Sequence, residues 1–334
     1  MKKPIVAISI GDPNGIGPEV TIKALVNKSI RDLCRPVIVA PVSLFEQDPR
    51  MFGATIKLKE MSILSDATAD EDEIEALAFE VDKSFQVQPG RLLAGAGEVA
   101  ARSLALAVQL ALEKKVDAVV TAPLSKKSLN LAGYSYPGQT EFLAEKTRTE
   151  EVVMVLLSGN FRVGLATTHC AIAQVSALLS REKIVRKLQI LNKDLSSRFG
   201  ISNPKIAVTA LNPHAGEDGL FGSEEIEIIR PAIHRAIEAG VDARGPFPAD
   251  TLFARVDEQK FDAYLAMYHD QGLIPLKMKS FGRGVNYTAG LPIIRTSPDH
   301  GTAFDIAGKG VAEPGSMIEA INLAVKLAAH SQTG

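Results

Sequence analysis

Residues 163–214 read VGLATTHCAIAQVSALLSREKIVRKLQILNKDLSSRFGISNPKIAVTALNPH and carry a complete strand–helix–strand signal. Val163–Ala166 and Ile206–Ala210 are short apolar runs, the length of buried strands, and small polar residues follow them. Between them, Ser180 to Phe199 sets Ile184, Val185, Leu188, Leu191 and Leu195 on one helical face, and Gly200 supplies the stop. A buried strand, a covering helix and a second buried strand predict an α/β fold with a largely parallel sheet. The same alternation marks Val6–Ile10, Val37–Ala40, Ala118–Thr121, Val152–Leu157 and Ala263–Met267 as further strands. The last helix is predicted from Ser316-Met-Ile-Glu319, a capping-box pattern, to about Ala329.

A chain of 334 residues exceeds what one core usually supports, so two domains are expected. The net charge of -2 supplies no basic field for nucleic acid. Cys34 and Cys170 are too few for a disulfide framework, which suits a reducing cytoplasm. Met1-Lys-Lys before Ile5–Ile10 has the look of a signal peptide. Its apolar run is too short, however, and leads into Gly11-Asp-Pro-Asn rather than a cleavage site. No apolar stretch approaches the roughly 18 residues that span a bilayer. Asp66 to Glu75 is acidic and reads as a solvated excursion. No repeat or low-complexity linker marks a domain boundary.

Three histidines end apolar runs: His169 follows Val163–Ala166, His214 follows Ile206–Leu211 and His269 follows Ala263–Met267. The carboxyl ends of strands border the ligand crevice in α/β proteins. Three imidazoles delivered there can bind one divalent cation and leave positions open for water or substrate. Cys170 adjoins His169 but reads as a small buried hydrophobe. Gly11-Asp-Pro-Asn-Gly-Ile-Gly-Pro-Glu19 forms a glycine-rich turn into a helix, with Pro18 suited to the first turn, yet it is neither G-x-G-x-x-G nor a P-loop. Gly95-Ala-Gly-Glu-Val-Ala100 fits G-x-G-x-x-A but follows no convincing strand, and reads as a helix start. A Rossmann-type dinucleotide site is therefore not supported. Lys277, Arg283, Asn286 and Arg295 lie on glycine- and proline-rich sequence after Tyr268-His-Asp-Gln-Gly272, and several cations with an amide suit an anionic, phosphorylated substrate.

Residues 297–314, Ser-Pro-Asp-His-Gly-Thr-Ala-Phe-Asp-Ile-Ala-Gly-Lys-Gly-Val-Ala-Glu-Pro, resemble the loop of isocitrate and isopropylmalate dehydrogenases that holds the adenosine part of NAD(P). With Gly11–Glu19, Thr121-Ala-Pro-Leu-Ser-Lys126, Ala166-Thr-Thr-His169, Asn212-Pro-His-Ala-Gly216, Pro248-Ala-Asp-Thr251, Ala266–Gly272 and Gly282–Asn286, the chain resembles 4-hydroxythreonine-4-phosphate dehydrogenases through nearly its whole length. That resemblance implies a two-domain α/β/α fold of the isocitrate/isopropylmalate dehydrogenase type with its active site in the interdomain cleft. Residues 1–125 with 291–334 would form the cofactor-side domain, and residues 126–290 the metal, substrate and dimerisation domain.

The resemblance also implies a cytoplasmic homodimer whose sites are completed by both subunits, binding neither nucleic acid nor membrane. His169, His214 and His269 would hold a zinc, magnesium or cobalt ion. Gln139, Thr140, Lys277, Asn286 and Arg295 would bind substrate. Gly11, Asp12, His300, Gly301, Thr302, Ala303 and Asp305 would bind the cofactor. Lys126, Asp250 and Asp270 are the candidate catalytic residues. Asp250 and Asp270 serve as acid–base groups or as carboxylates orienting His269. Absence of an arginine partner for a 2′-phosphate near Asp305 favours NAD over NADP, with Lys309 the nearest cation. The implied reaction oxidises 4-phosphooxy-L-threonine to 2-amino-3-oxo-4-phosphooxybutanoate, which loses carbon dioxide to give 3-amino-2-oxopropyl phosphate. One departure stands out. The family usually has His-Thr before Glu-Phe-Leu, whereas this chain has Gln139-Thr140. Phosphorylated D-threonate or D-erythronate, or a cyclic diol carboxylate, are accordingly alternative substrates.

Overall fold

The computed structural model describes residues 3–47, 52–54, 57–64, 73–82, 85–136, 138–258 and 260–331. The chain separates into two compact units, Met1–Glu150 with Leu291–Ala329 and Glu151–Gly290 with His330–Gly334.

In the first unit the chain runs β1 (Ile5–Ser9), α1 (Gly17–Val26), α2 (Lys28–Leu33), β2 (Arg35–Val39), α3 (Ser43–Glu46), β3 (Lys57–Met61) and β4 (Glu73–Leu77). It continues through α4 (Ala94–Leu112), β5 (Ala118–Thr121), α5 (Lys126–Leu131) and α6 (Gln139–Lys146). The second unit holds β6 (Val153–Ser158), β7 (Phe161–Leu165), α7 (Val175–Leu178), α8 (Arg181–Ser197), β8 (Lys205–Thr209) and α9 (Arg230–Glu238). It then adds β9 (Asp242–Phe247), α10 (Ala249–Ala254), β10 (Ala263–Ala266), α11 (His269–Ser280) and β11 (Val285–Ala289). β12 (Arg295–Pro298) and α12 (Gly315–Ser331) belong largely to the first unit.

Strands of the first unit lie in the order β3-β4-β2-β1-β5-β12, and every pair is parallel. The interior of β1, β2 and β5 is continuously apolar, and these residues are buried because helices cover both faces of a parallel sheet. The expected solvated excursion needs correction here. Residues 66–72 lie outside the described residues, but Glu73–Leu77 is a strand. Glu75 is buried there because the Arg35 guanidinium meets its carboxylate at 2.8 Å, leaving no uncompensated charge.

Strands of the second unit lie in the order β11-β6-β7-β10-β8-β9. The β11–β6 and β6–β7 pairs are antiparallel and the remainder parallel, so the sheet is mixed. Only Gly159-Asn160 separates the paired Ser158 and Phe161, and so short a connection can join only antiparallel neighbours. The amphipathic helix foreseen between β7 and β8 is α8, which buries Ile184, Leu188, Leu191 and Leu195. Val185 stays half-exposed. Ser180 is its N-cap, accepting from the Lys183 amide. At α12 the helix begins one residue before Ser316, so Ser316 is not the cap. Its hydroxyl accepts from the Asp299 amide instead, tying the loop after β12 to the helix.

Candidate functional site

In the second unit, β7 and β10 lie side by side, and the backbone zips past their ends. Ala166 N–H donates to Ala266 O, and the Thr167 hydroxyl donates to Met267 O at 2.7 Å. His169 and His269 therefore leave adjacent strand ends together. Their ring centroids are 5.9 Å apart, tilted by 43°. Both line a cavity of about 250 Å³ with Thr168, Cys170, Tyr268 and Asp270. His269 opens α11, and its Nδ1 lies 2.7 Å from Asp270 Oδ1. With the proton on Nδ1, that carboxylate fixes the ring orientation and leaves Nε2 with the lone pair, the form in which an imidazole can bind a metal. Asp250 lies exposed in the first turn of α10, next to the Thr251 hydroxyl.

His214 is presented differently. Five consecutive residues, His214 to Asp218, have left-handed backbone, with φ of 52°, 54°, 81°, 44° and 52°. Four are not glycine, and each such residue costs about 1–2 kcal/mol. A buried carboxylate anchors the residues that lead into the turn. Glu225, fully buried at the start of a π-helical turn (Glu225–Ile229), accepts from the Leu211 and Asn212 amides, both at 2.8 Å, and from Asn212 Nδ2 at 3.0 Å. Gly216 has to be glycine, because a Cβ there would stand 2.7 Å from Glu225 Oε2. His214 packs against Phe221 at 6.3 Å between centroids. Among the described residues, no three His, Cys, Asp or Glu side chains gather in a metal-holding arrangement. One chain thus brings two of the three histidines to one cavity. The donor chemistry of the two imidazoles suits a divalent cation, and His214 is not among the residues lining that cavity.

Gln271 was not singled out from sequence, yet it joins two of these strand ends. Its Oε1 accepts from the Thr209 hydroxyl and the Met267 amide, while its Nε2 donates to Ala210 O at 2.6 Å. Its place directly after His269-Asp270 was the available signal. Lys277 is exposed on the last turn of α11. On β11, Asn286 Oδ1 is buried with no protein partner.

The first unit holds the expected cofactor residues. Gly11, at φ +71°, turns the chain off β1, and a Cβ there would meet Pro123 O at 2.2 Å. Asp12 is fully buried. It accepts from the Asn14 amide, and burial raises its carboxyl above the ordinary range. The Gly11–Gly17 turn faces the loop after β12, where Ile16 N–H donates to Thr302 O. Ala303 has φ +41°, Gly301 and Asp305 are exposed, and His300 Nε2 is buried with no partner. Lys23 and Glu19 of α1 clamp the far end of this loop. Lys23 donates to Gly310 O and Ala312 O, and Glu19 accepts from the Ala312 amide. A backbone-rich cradle with an orphaned imidazole nitrogen suits an adenosine moiety.

The same unit contains Arg295, Thr121 and Gln139. Arg295 is 2 % exposed, and burial pushes its guanidinium down to about 9, still cationic at neutral pH. It donates from Nε and Nη2 to the Thr121 hydroxyl at 3.1 and 2.6 Å, and from Nη2 to Gln139 Oε1 at 2.5 Å. Thr140 follows in the first turn of α6, and Lys126 is exposed at the start of α5.

The model of the family described as "Pyridoxal phosphate biosynthetic protein PdxA" matches residues 32–324. A 4-hydroxythreonine-4-phosphate dehydrogenase of Desulforapulum autotrophicum is 40% identical, over 96% of this chain and 95% of its own. A protein of Oceanobacillus iheyensis named putative D-threonate 4-phosphate dehydrogenase is 42% identical, over 98% of each. The crystal structure of a Klebsiella pneumoniae 4-hydroxythreonine-4-phosphate dehydrogenase superposes with a TM-score of 0.89 at 40% identity, covering 98% of this chain and all of the other.

Proposed function

Because the chain belongs to the PdxA family, we propose that it is an NAD-dependent, metal-dependent dehydrogenase of 4-phosphooxy-L-threonine in pyridoxal 5'-phosphate biosynthesis. The observation that carries this reading is the cavity into which adjacent strand ends deliver His169, His269 and Asp270. His169 and His269 of one chain, with His214, would hold a divalent cation, and a second copy of the chain would complete the set. When bound, the cation supplies a Lewis acid for the substrate hydroxyl and for the ketone formed from it.

The chain's own residues do the remainder. Arg295, Lys277 and Asn286 bind the anionic and hydrogen-bonding groups of the substrate, with Thr140 and Gln139 beside Arg295. Asp270 orients His269. Asp250 or Lys126 receives the hydroxyl proton while hydride passes to the nicotinamide, converting CH–OH to C=O. The resulting β-keto acid releases carbon dioxide, its carboxylate electrons passing toward the ketone, and a proton from solvent or an acid residue completes 3-amino-2-oxopropyl phosphate. The loop from His300 to Asp305 with Gly11 and Asp12 binds NAD. A carboxylate such as Asp305 suits a ribose hydroxyl better than a 2′-phosphate.

D-threonate 4-phosphate is the second substrate reading, favoured by the Oceanobacillus iheyensis relative and by Gln139. Turnover on both compounds, with NAD and with NADP and with zinc, magnesium or cobalt, tests the proposal through absorbance of the reduced nicotinamide. Reduction with neither compound rejects it. Faster turnover of D-threonate 4-phosphate reassigns the substrate and leaves the reaction class intact.

A further inference from the structure

Gln139 occupies a position that is usually histidine in the resembling enzymes, and its hydrogen bonds show what the amide does here. Its Oε1 accepts twice, from Arg295 Nη2 at 2.5 Å and from the Thr121 hydroxyl at 2.7 Å. Its Nε2 donates to Ala122 O at 3.0 Å. These bonds fix the amide orientation, because the flipped form would turn an NH₂ toward the guanidinium. Thr121 is equally committed. Its oxygen accepts from two guanidinium N–H groups, so its single proton must go to Gln139. Two neutral oxygens thus accept three hydrogen bonds from this buried cation.

An imidazole at position 139 cannot reproduce this arrangement. A neutral ring offers one acceptor nitrogen where Gln139 accepts two bonds, and a protonated ring offers none and repels Arg295. Among the described residues, the charged groups next to this corner are Arg295 on β12, which meets Gln139, and Lys126 on α5 and Glu141 on α6, which flank Gly138 just before it. Neither takes the place of the acceptor that Gln139 supplies to Nη2.

We propose that Gln139 is a positioning residue that aims the Arg295 guanidinium at the anionic end of the substrate. Its amide keeps that aim constant over the pH range in which a histidine would titrate. The inference rests on the reading above that Arg295 touches substrate.

Steady-state KM and kcat of the wild-type holoenzyme, Q139A, Q139H and R295K, measured from pH 5.5 to 8.5 on the preferred substrate, test it. The variant-to-wild-type KM ratio at each pH cancels ionisation of the substrate phosphate. Losing a hydrogen bond to a charged group predicts that Q139A raises KM by about 10- to 100-fold, with kcat within a few-fold of wild type. For Q139H the ratio should be smallest at pH 8.5 and climb toward pH 5.5, with its midpoint below the roughly 6.5 of a free imidazole because Arg295 disfavours the protonated ring. A merely structural role gives a ratio that does not depend on pH. Thermal melting identifies variants that fail to fold, and if Q139A does, the Q139H profile decides. Flat, wild-type KM values for both Gln139 variants, with KM raised in R295K, overturn the inference alone. Unchanged KM in R295K overturns the substrate reading and the inference with it.

Discussion

Replacing Glu225 by Gln removes one carboxylate oxygen at nearly constant volume, in the place where the left-handed turn bearing His214 is tied down. The remaining carbonyl oxygen can keep the Leu211 and Asn212 amides, both at 2.8 Å. The new NH₂ then faces Asn212 Nδ2, which donates to Glu225 at 3.0 Å and to Glu224 Oε2 at 2.7 Å. Flipping Asn212 to accept from the new amide would set its oxygen against the Glu224 carboxylate. Either two donors or two acceptors then face each other, and the lost hydrogen bond costs about 1.5–3 kcal/mol. That loss falls on a turn already carrying four non-glycine residues at positive φ. A change of about 2 kcal/mol raises the population of the opened turn roughly 30-fold. Native-state hydrogen exchange at Leu211 and Asn212 reads this opening directly, since their amides donate to Glu225. Equilibrium titration with zinc reads its consequence for His214. Exchange accelerated about 30-fold together with weaker zinc binding is expected. Wild-type exchange at both amides and unchanged zinc affinity for Glu225→Gln would refute the reasoning.

Three further outcomes are expected. Asp270→Asn should weaken zinc binding by about 10–100-fold, because the carboxylate orients His269, and His269→Ala should abolish turnover while the fold survives. Full turnover of chelator-treated enzyme would sink the metal reading. Asp12→Asn should raise Tm by roughly 2–5 °C at pH 7. Burial lifts the Asp12 carboxyl above its unfolded value, so its contribution to stability is present at low pH and lost as pH rises through the folded value. The gain from Asp12→Asn should therefore vanish near pH 3.5, below the unfolded value, and an equal gain at both pH values would contradict this sign. Finally, Cys34 is buried and pushed up to about 12, whereas Cys170 is half-buried. One thiol per chain should react quickly with Ellman's reagent in the native enzyme at pH 8 and two after denaturation. Two fast thiols in the native state would disprove the burial argument.

Local periodicity determined the α/β class, seven of the strands and helix α8, because burial of one face leaves its mark within a few residues. The strand-end positions of His169 and His269 were legible for the same reason, as was the glycine-rich turn after β1. The hairpin at Gly159-Asn160 was also written locally but was not singled out within the largely parallel pattern. What only the tertiary structure decided are contacts between residues distant in sequence. Glu75 can lie in a strand because Arg35, 40 residues away, cancels its charge. Gln139 and Arg295 meet across 156 residues, and nothing in either neighbourhood announces that an amide is the acceptor for a buried guanidinium. The left-handed turn at His214 sets four ordinary residues against their backbone preference, directly after Leu211 and Asn212, whose amides donate to the distant Glu225. Local sequence records how a segment satisfies itself. A strained turn or a buried charge is satisfied from elsewhere, so only the assembled fold reveals it.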